Sequence, residues 1–136
     1  MTPTRSDPVK QPGPFLEHLD IHFLRADNGK AEVQMTVGDK HLRSLEMMHG
    51  GVTATLLDTC MGMAAHSLAP DDHYSVTVQL DVKYTRPALP GDKLLVTAEV
   101  QHAGKRTAVT RGEIRNPANH SLIATGTATM MYLPLT

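Results

Sequence analysis

The stretch MMHGGVTATLLDTCMGMAAHSL, Met47 to Leu68, decides how the rest of the chain is read. It is apolar along most of its length, opens on Gly50 and Gly51, and holds a single formal charge, Asp58. Ala, Leu and Met are strong helix formers and the run is several turns long, which predicts a helix from Gly50 to about Ser67. Ala69-Pro70-Asp71-Asp72 ends it, because the residue before a proline is pushed out of helical geometry.

On either side of this helix the pattern is strand-like. Asp27-Asn28-Gly29 lies between two extended runs and reads as a hairpin turn, since both Asn and Gly tolerate positive φ. The second arm alternates, with Ala31, Val33, Met35 and Val37 on one face and Lys30, Glu32, Gln34 and Thr36 on the other. The segment GDKHLRSLEMM, residues 38–48, has mixed polarity and reads as a loop.

After the helix, YSVTVQLDVKYTRP alternates Val76, Val78, Leu80, Val82 and Tyr84 against Thr77, Gln79, Asp81, Lys83 and Thr85. Turns at Pro90-Gly91-Asp92, Ala103-Gly104-Lys105 and Asn116-Pro117-Ala118-Asn119 lead into three further strands. The predicted order is two strands, one helix and four strands. Short links imply antiparallel pairing and an α+β class. An antiparallel sheet of this extent curls, and one long helix fills its concave face. A single helix on one sheet is a thin core, so the remaining apolar surface is expected to meet another copy of the chain.

The bulk properties narrow the function. The chain has 136 residues and a formal net charge of -1, which suits one domain and provides no global basic field for nucleic acid or an anionic membrane. Residues 1–81 hold 6 Lys/Arg against 11 Asp/Glu, whereas residues 82–136 hold 7 against 3. The basic second half could meet phosphates on a small ligand, or simply be a solvated strand face. Cys60 is the only cysteine, which excludes an internal disulfide and suits a reducing compartment. No run is apolar enough to span a bilayer. Residues 1–14, rich in proline, read as a flexible arm rather than a secretory signal, so the cytoplasm is the default location.

At ~100° per residue, Asp58 shares a helix face with Gly51, Ala54, Thr55, Met61, Gly62 and Ala65. Leu56, Cys60, Met63 and Val52 lie on the other side and are expected to pack into the sheet. The stripe around Asp58 is mostly small, so a thin ligand such as an extended acyl or pantetheine arm could approach it. A carboxylate in such a place is either functional, as a base or nucleophile, or bonded to solvent, a threonine or nearby backbone. His49-Gly50-Gly51 opens the helix, where free N–H groups point outward and the dipole is positive. Glycine there lets a ligand oxygen come close, which would build an oxyanion hole from backbone; plain capping is the simpler reading.

HGGVTATLLDTCMGMA resembles the H-G-G-x-x-x-x-L-x-D-x-x-x-G-x-A signature of hotdog-fold acyl-CoA thioesterases, in the branch of PaaI and acyl-CoA thioesterase 13. His49, Gly50, Gly51, Leu56, Asp58, Gly62 and Ala64 fill its positions. The strands from Val76 to Ile114, with the Y-x-x-P-A-x-x-G-D turn, are similar as well. The resemblance covers Phe15 to Leu133 and makes residues 15–136 a hotdog thioesterase domain, a curved antiparallel sheet wrapped around one central helix.

That resemblance implies hydrolysis of an aryl- or medium-chain acyl-CoA to free acid and CoA, in a site shared across a homodimer, itself part of a homotetramer. Asp58 would act as nucleophile or general base, the Gly50 amide as oxyanion donor, and Thr77 would orient the water or the carboxylate. No metal or cofactor is required, CoA being part of the substrate. The family commonly carries an asparagine six residues before its histidine; here that position is Arg43, a donor that cannot accept. Arg43 could act on Asp58, bind a substrate carboxylate or CoA phosphate, or face solvent.

Pocket walls are expected from the small stripe with Met47, Met48 and Met61, which adapt to many shapes. His49 is expected to brace the glycine turn beside Gly51 at the substrate. Lys105 and Arg106, in a turn, could clamp a CoA phosphate or form an ordinary hairpin tip, and Arg86 is read the same way. The eight histidines are scattered and supply no metal set, and no serine-hydrolase or zinc motif occurs. Two other functions fit less well. A hydratase or dehydratase needs a histidine beside Asp58, and a non-catalytic acyl-CoA sensor needs a DNA-binding segment.

Overall fold

Asn28 and Gly29, at φ 50° and 76°, turn the chain back between β1 (His22–Asp27) and β2 (Lys30–Thr36), as the Asn-Gly pair predicts. The computed structural model describes Asp7 and residues 9–135. Of the expected arm over 1–14, residues 1–6 and 8 lie outside the described residues; Val9 already packs against the core, and Pro14 opens a short helix, α1 (Pro14–His18).

The segment expected as a plain loop between β2 and the long helix has more structure than that. A 3-10 turn, Asp39–His41, leads into a two-residue ladder of β3 (Leu42–Arg43) and β4 (Met47–Met48). Leu45 and Glu46 close it at φ 69° and 51°, a conformation that side chains other than glycine adopt at a cost of about 1–2 kcal/mol each.

Helix α2 runs from Gly50 to His66 and is followed by four strands: β5 (His73–Tyr84), β6 (Lys93–Ala103), β7 (Thr107–Asn116) and β8 (Ser121–Pro134). Six strands form one sheet in the order β1-β2-β6-β7-β8-β5, every pair antiparallel. One expectation fails here. Pro90-Gly91-Asp92 is not a hairpin turn, because β5 pairs with β8 at the far edge and β6 pairs with β2. The turn is instead tied to the end of β2, with Gly91 N–H donating to Val37 O at 2.8 Å and Val37 N–H to Asp92 O at 2.9 Å.

The helix sits close to the sheet because the residues beneath it are small. Ala31, Ala98, Gly112, Gly126 and Val82 lie in one cross-strand row. A Cβ on Gly112 would stand 3.0 Å from Thr97 O and 3.2 Å from Met61 Cγ; one on Gly126 would stand 3.2 Å from both Leu57 and Met61. Leu57 and Met61 therefore fill the space those glycines leave, each 0 % exposed. Burying side chains of this kind contributes roughly 1.5–3 kcal/mol apiece.

The buried arc is wider than the sequence pattern suggests. Leu56, Cys60 and Met63 face the sheet as expected, but so do Met61 and Ala65, which helical geometry had placed beside Asp58. The curled sheet embraces more of the helix than a flat one would.

Candidate active site

Asp58 lies in the third turn of α2, half-buried on the side the sheet does not cover. Its Oδ1 accepts a hydrogen bond of 2.6 Å from the Thr77 hydroxyl. Strict alternation along β5 would put Thr77 on the face opposite Tyr84. A β-bulge between Thr77 and Gln79 removes that constraint by leaving Val78 unpaired against β8.

The inward face of β5 is accordingly Ser75 and Thr77, then Leu80, Val82 and Tyr84. Ser75 Oγ donates to Gly62 O at 3.4 Å, Thr77 also lies 3.3 Å from Met130 Sδ, and Leu80 and Val82 pack against the core. The bulge thus brings a polar pair and a tyrosine onto the same helix, whereas alternation alone assigns Val76 and Val78 there. Val78 is instead 52 % exposed.

At the start of α2, His49 is the N-cap residue, with φ -63° and ψ 135°. Its Nδ1 accepts from Gly51 N–H at 2.8 Å, so a neutral His49 ring carries its proton on Nε2. A Cβ on Gly51 would stand 2.9 Å from that Nδ1, so a larger residue there would push the capping ring aside. Gly51 N–H is therefore spent on capping. Gly50 is the first helical residue, and its N–H has no acceptor among the described residues. It remains an outward donor at the positive end of the helix dipole.

Eight residues separate Gly50 from Asp58, about 12 Å along the helix axis. Within one chain the two groups cannot meet at a single carbonyl. Tyr84, which the sequence pattern treated only as one of the apolar alternators, reaches the helix start: its hydroxyl donates to Gly50 O at 2.8 Å. Alternation already sets Tyr84 on the inward face with Leu80 and Val82, but it does not show that the hydroxyl reaches Gly50. What the bulge hides is Thr77, and no sequence signal marks that bulge.

The other expected residues are placed less centrally. Arg43 is exposed on β3, its Nε donating to the adjacent Ser44 O at 3.1 Å, and it is not brought to Asp58 in this chain. Met47 is half-buried and Met48 buried beside the start of α2, where Met48 N–H donates to Ala88 O. Met61 is a core side chain over Gly112 and Gly126 rather than a wall of the open face, because the sheet wraps past it.

Lys105 and Arg106 are exposed in the β6–β7 turn and have no acidic partner among the described residues. Ala108 and Thr77 both pair with Met130, so that turn lies two strands, about 10 Å, across the sheet from Thr77 and just beyond its end. Arg86 is exposed, with its N–H on Ile123 O.

Cys60 is remote from this chemistry. It is fully buried against β2 and β6, its Sγ–H donates to Ala31 O at 3.3 Å, and burial pushes its pKa up to about 12. Among the described residues, no group of three or more His, Cys, Asp or Glu could hold a metal ion, and no helix is long and apolar enough to cross a membrane.

A family model described as the thioesterase superfamily matches residues 45–123, the segment from the β3–β4 ladder through β8's first residues. The chain belongs to the thioesterase superfamily. This thioesterase is 35% identical over 109 residues to acyl-coenzyme A thioesterase 13 of Homo sapiens, covering 78% of this chain and 75% of that relative. Its fold superposes on the Escherichia coli PaaI protein from the phenylacetic acid degradation operon with a TM-score of 0.80 at 30% identity, covering 88% and 83% of the two chains. Streptococcus mutans smu.793, solved bound to acetyl CoA, is similar at TM-score 0.78 and 27% identity, covering 85% and 90%. The thioesterase therefore has the hotdog fold and is a thioester hydrolase.

Proposed function

We propose that the protein hydrolyses acyl-CoA thioesters to the free acid and CoA, in a site assembled from two copies of the chain. The observation that supports this most is the Thr77–Asp58 hydrogen bond of 2.6 Å on the open side of α2. Thr77 occupies Oδ1 and leaves Oδ2 for a water. The carboxylate takes a proton from that water as its oxygen attacks the thioester carbon. The oxyanion that develops is met by the Gly50 N–H of the partner subunit, which the helix dipole reinforces. Collapse breaks the C–S bond, and the proton held by Asp58 passes to the departing CoA thiolate.

Geometry supports the second copy. β5 is an edge strand of 12 residues with Val78 and Tyr74 exposed along it. Two such edges pairing antiparallel about a two-fold axis bring the Tyr84 end of one beside the Thr77 half of the other. The Gly50 amide of one copy then approaches the Asp58 of its partner, closing the gap of about 12 Å that no single chain can close. A homodimer is the minimal unit of this reading, and a homotetramer is two of them.

The relatives named for acyl-CoA thioesterase activity, and the neighbour bound to acetyl CoA, support CoA esters as the substrate class. In this reading the unpaired Lys105 and Arg106 hold CoA phosphates, with the pantetheine arm spanning the strands between them and Thr77. Aryl and medium-chain acyl groups are the favoured tails, set against Met47, Met48 and the small residues of α2.

The test is CoA release from a panel of aryl- and medium-chain acyl-CoAs by wild type and Asp58→Asn. Loss of kcat by about 10²–10⁴-fold in the variant, as expected on removing a general base, supports the reading. Equal turnover by both proteins sinks the carboxylate mechanism, and no wild-type turnover on any ester sinks the activity. A single turnover in H2¹⁸O separates the two roles of Asp58: label entering the acid directly marks a base, and label entering Asp58 first marks a nucleophile.

A further inference from the structure

We propose that Tyr84 is a positioning residue for this reaction, holding the Gly50–Gly51 peptide so that the Gly50 N–H keeps its outward aim. The proposal rests on Gly50 as the oxyanion donor. Two consecutive glycines have no side chains to fix them, and backbone freedom is greatest exactly where the donor must be held still. Something outside the helix has to supply the constraint.

Tyr84 supplies it in two ways. Its hydroxyl donates to Gly50 O at 2.8 Å. Its ring lies over Gly50, with Cε1 3.3 Å and Oη 3.4 Å from where a Cβ would stand, so the glycine's bare Cα is what admits the ring. The same peptide unit is pinned at its other end, where Gly51 N–H donates to His49 Nδ1 at 2.8 Å. His49 is itself anchored, its backbone N–H donating to His41 O at 2.8 Å.

The result is a continuous chain of donors: Tyr84 hydroxyl to Gly50 carbonyl, Gly51 amide to His49 ring. Bonds aligned through one peptide polarise each other, so the hydroxyl also strengthens the cap that holds the first turn. Tyr84 ends β5, the same strand whose bulge delivers Thr77 to Asp58. One strand thereby supports both halves of the site, the carboxylate through Thr77 and the amide through Tyr84. Under antiparallel pairing these halves serve two different centres, one in each copy of the dimer.

Tyr84→Phe keeps the ring on Gly50 and deletes only the donor. The expected result is a fall in kcat of about 3- to 10-fold, the worth of one neutral hydrogen bond, with KM within about two-fold. The Gly51 amide signal of ¹⁵N-labelled protein should shift and its hydrogen exchange should quicken. Tyr132→Phe, which deletes a comparable hydroxyl bond to Ala65 O at the other end of the same helix, should keep wild-type kcat per folded molecule.

Wild-type kcat with unmoved Gly50 and Gly51 signals in Tyr84→Phe overturns the proposal. So does a loss confined to thermal stability with kcat per folded molecule intact. If the wild type turns over no acyl-CoA, the functional reading fails on its own. The positioning claim then stands or falls on the amide signals: shifted supports it and unshifted overturns it.

Discussion

Helix α2 presents two unlike faces. Toward the sheet it sets Leu56, Leu57, Cys60 and Met61, all 0 % exposed, over a row of alanines and glycines that lets it sit close. Away from the sheet it sets Gly50, Gly51, Ala54, Thr55, Asp58 and Gly62, with polar groups held by Thr77, Tyr84 and His49. On the first face volume is critical and polar groups are few. On the second, space is left open and individual hydrogen bonds matter. Substitutions on the two faces should therefore separate stability from turnover.

The largest separation is expected from Asp58→Asn. Its side chain is half-buried and bonded to one hydroxyl, so the melting temperature should stay within a few degrees while kcat falls by about 10²–10⁴-fold. A parallel collapse of stability would show that the carboxylate is structural. The mirror image is Leu57→Ala, which should cost about 2–5 kcal/mol in denaturant unfolding and leave kcat per folded molecule near wild type.

Gly112→Ala tests the same face from below. The added methyl would meet Thr97 O at 3.0 Å and Met61 Cγ at 3.2 Å, so a loss of about 1–3 kcal/mol is expected by the same assay. An unchanged midpoint would mean that the helix does not depend on the small row for its approach. The smallest effect concerns Cys60. With its pKa raised to about 12 by burial, its thiol stays protonated in the folded protein until pH approaches that value. Iodoacetamide should label it slowly at pH 8 in native protein and readily after unfolding; equal rates would place it outside the core.

Much of this was legible in the residues. The helix boundaries, the Asn28-Gly29 hairpin and the six sheet strands follow from local propensity and turn chemistry, and the family signature falls on Asp58, Gly50 and His49. What local pattern does not encode is where a strand goes after its turn. Pro90-Gly91-Asp92 looks like a hairpin, yet β5 crosses to the far edge because its partner is β8. Nor does alternation reveal a single unpaired residue, and the bulge at Val78 reverses the phase of everything after it. Met61 departs from the helical-wheel expectation for a related reason. A helical wheel locates neighbours around the axis, but the width of the buried arc is set by the curl of the sheet.

The claim that matters most is that one carboxylate and one amide from different chains form each centre. Gly50→Pro removes the amide donor at a position that proline favours, the first helical residue, with His49 already in the extended backbone that precedes proline. The proline ring also presses on Tyr84, whose Cε1 lies 3.3 Å from where a Cβ would stand. Each of Asp58→Asn and Gly50→Pro should be nearly inactive alone. Unfolded together and refolded as a mixture, they should recover roughly a quarter of wild-type CoA release, since half the dimers are mixed and each of those has one intact centre. A mixture no more active than its components would contradict the shared site.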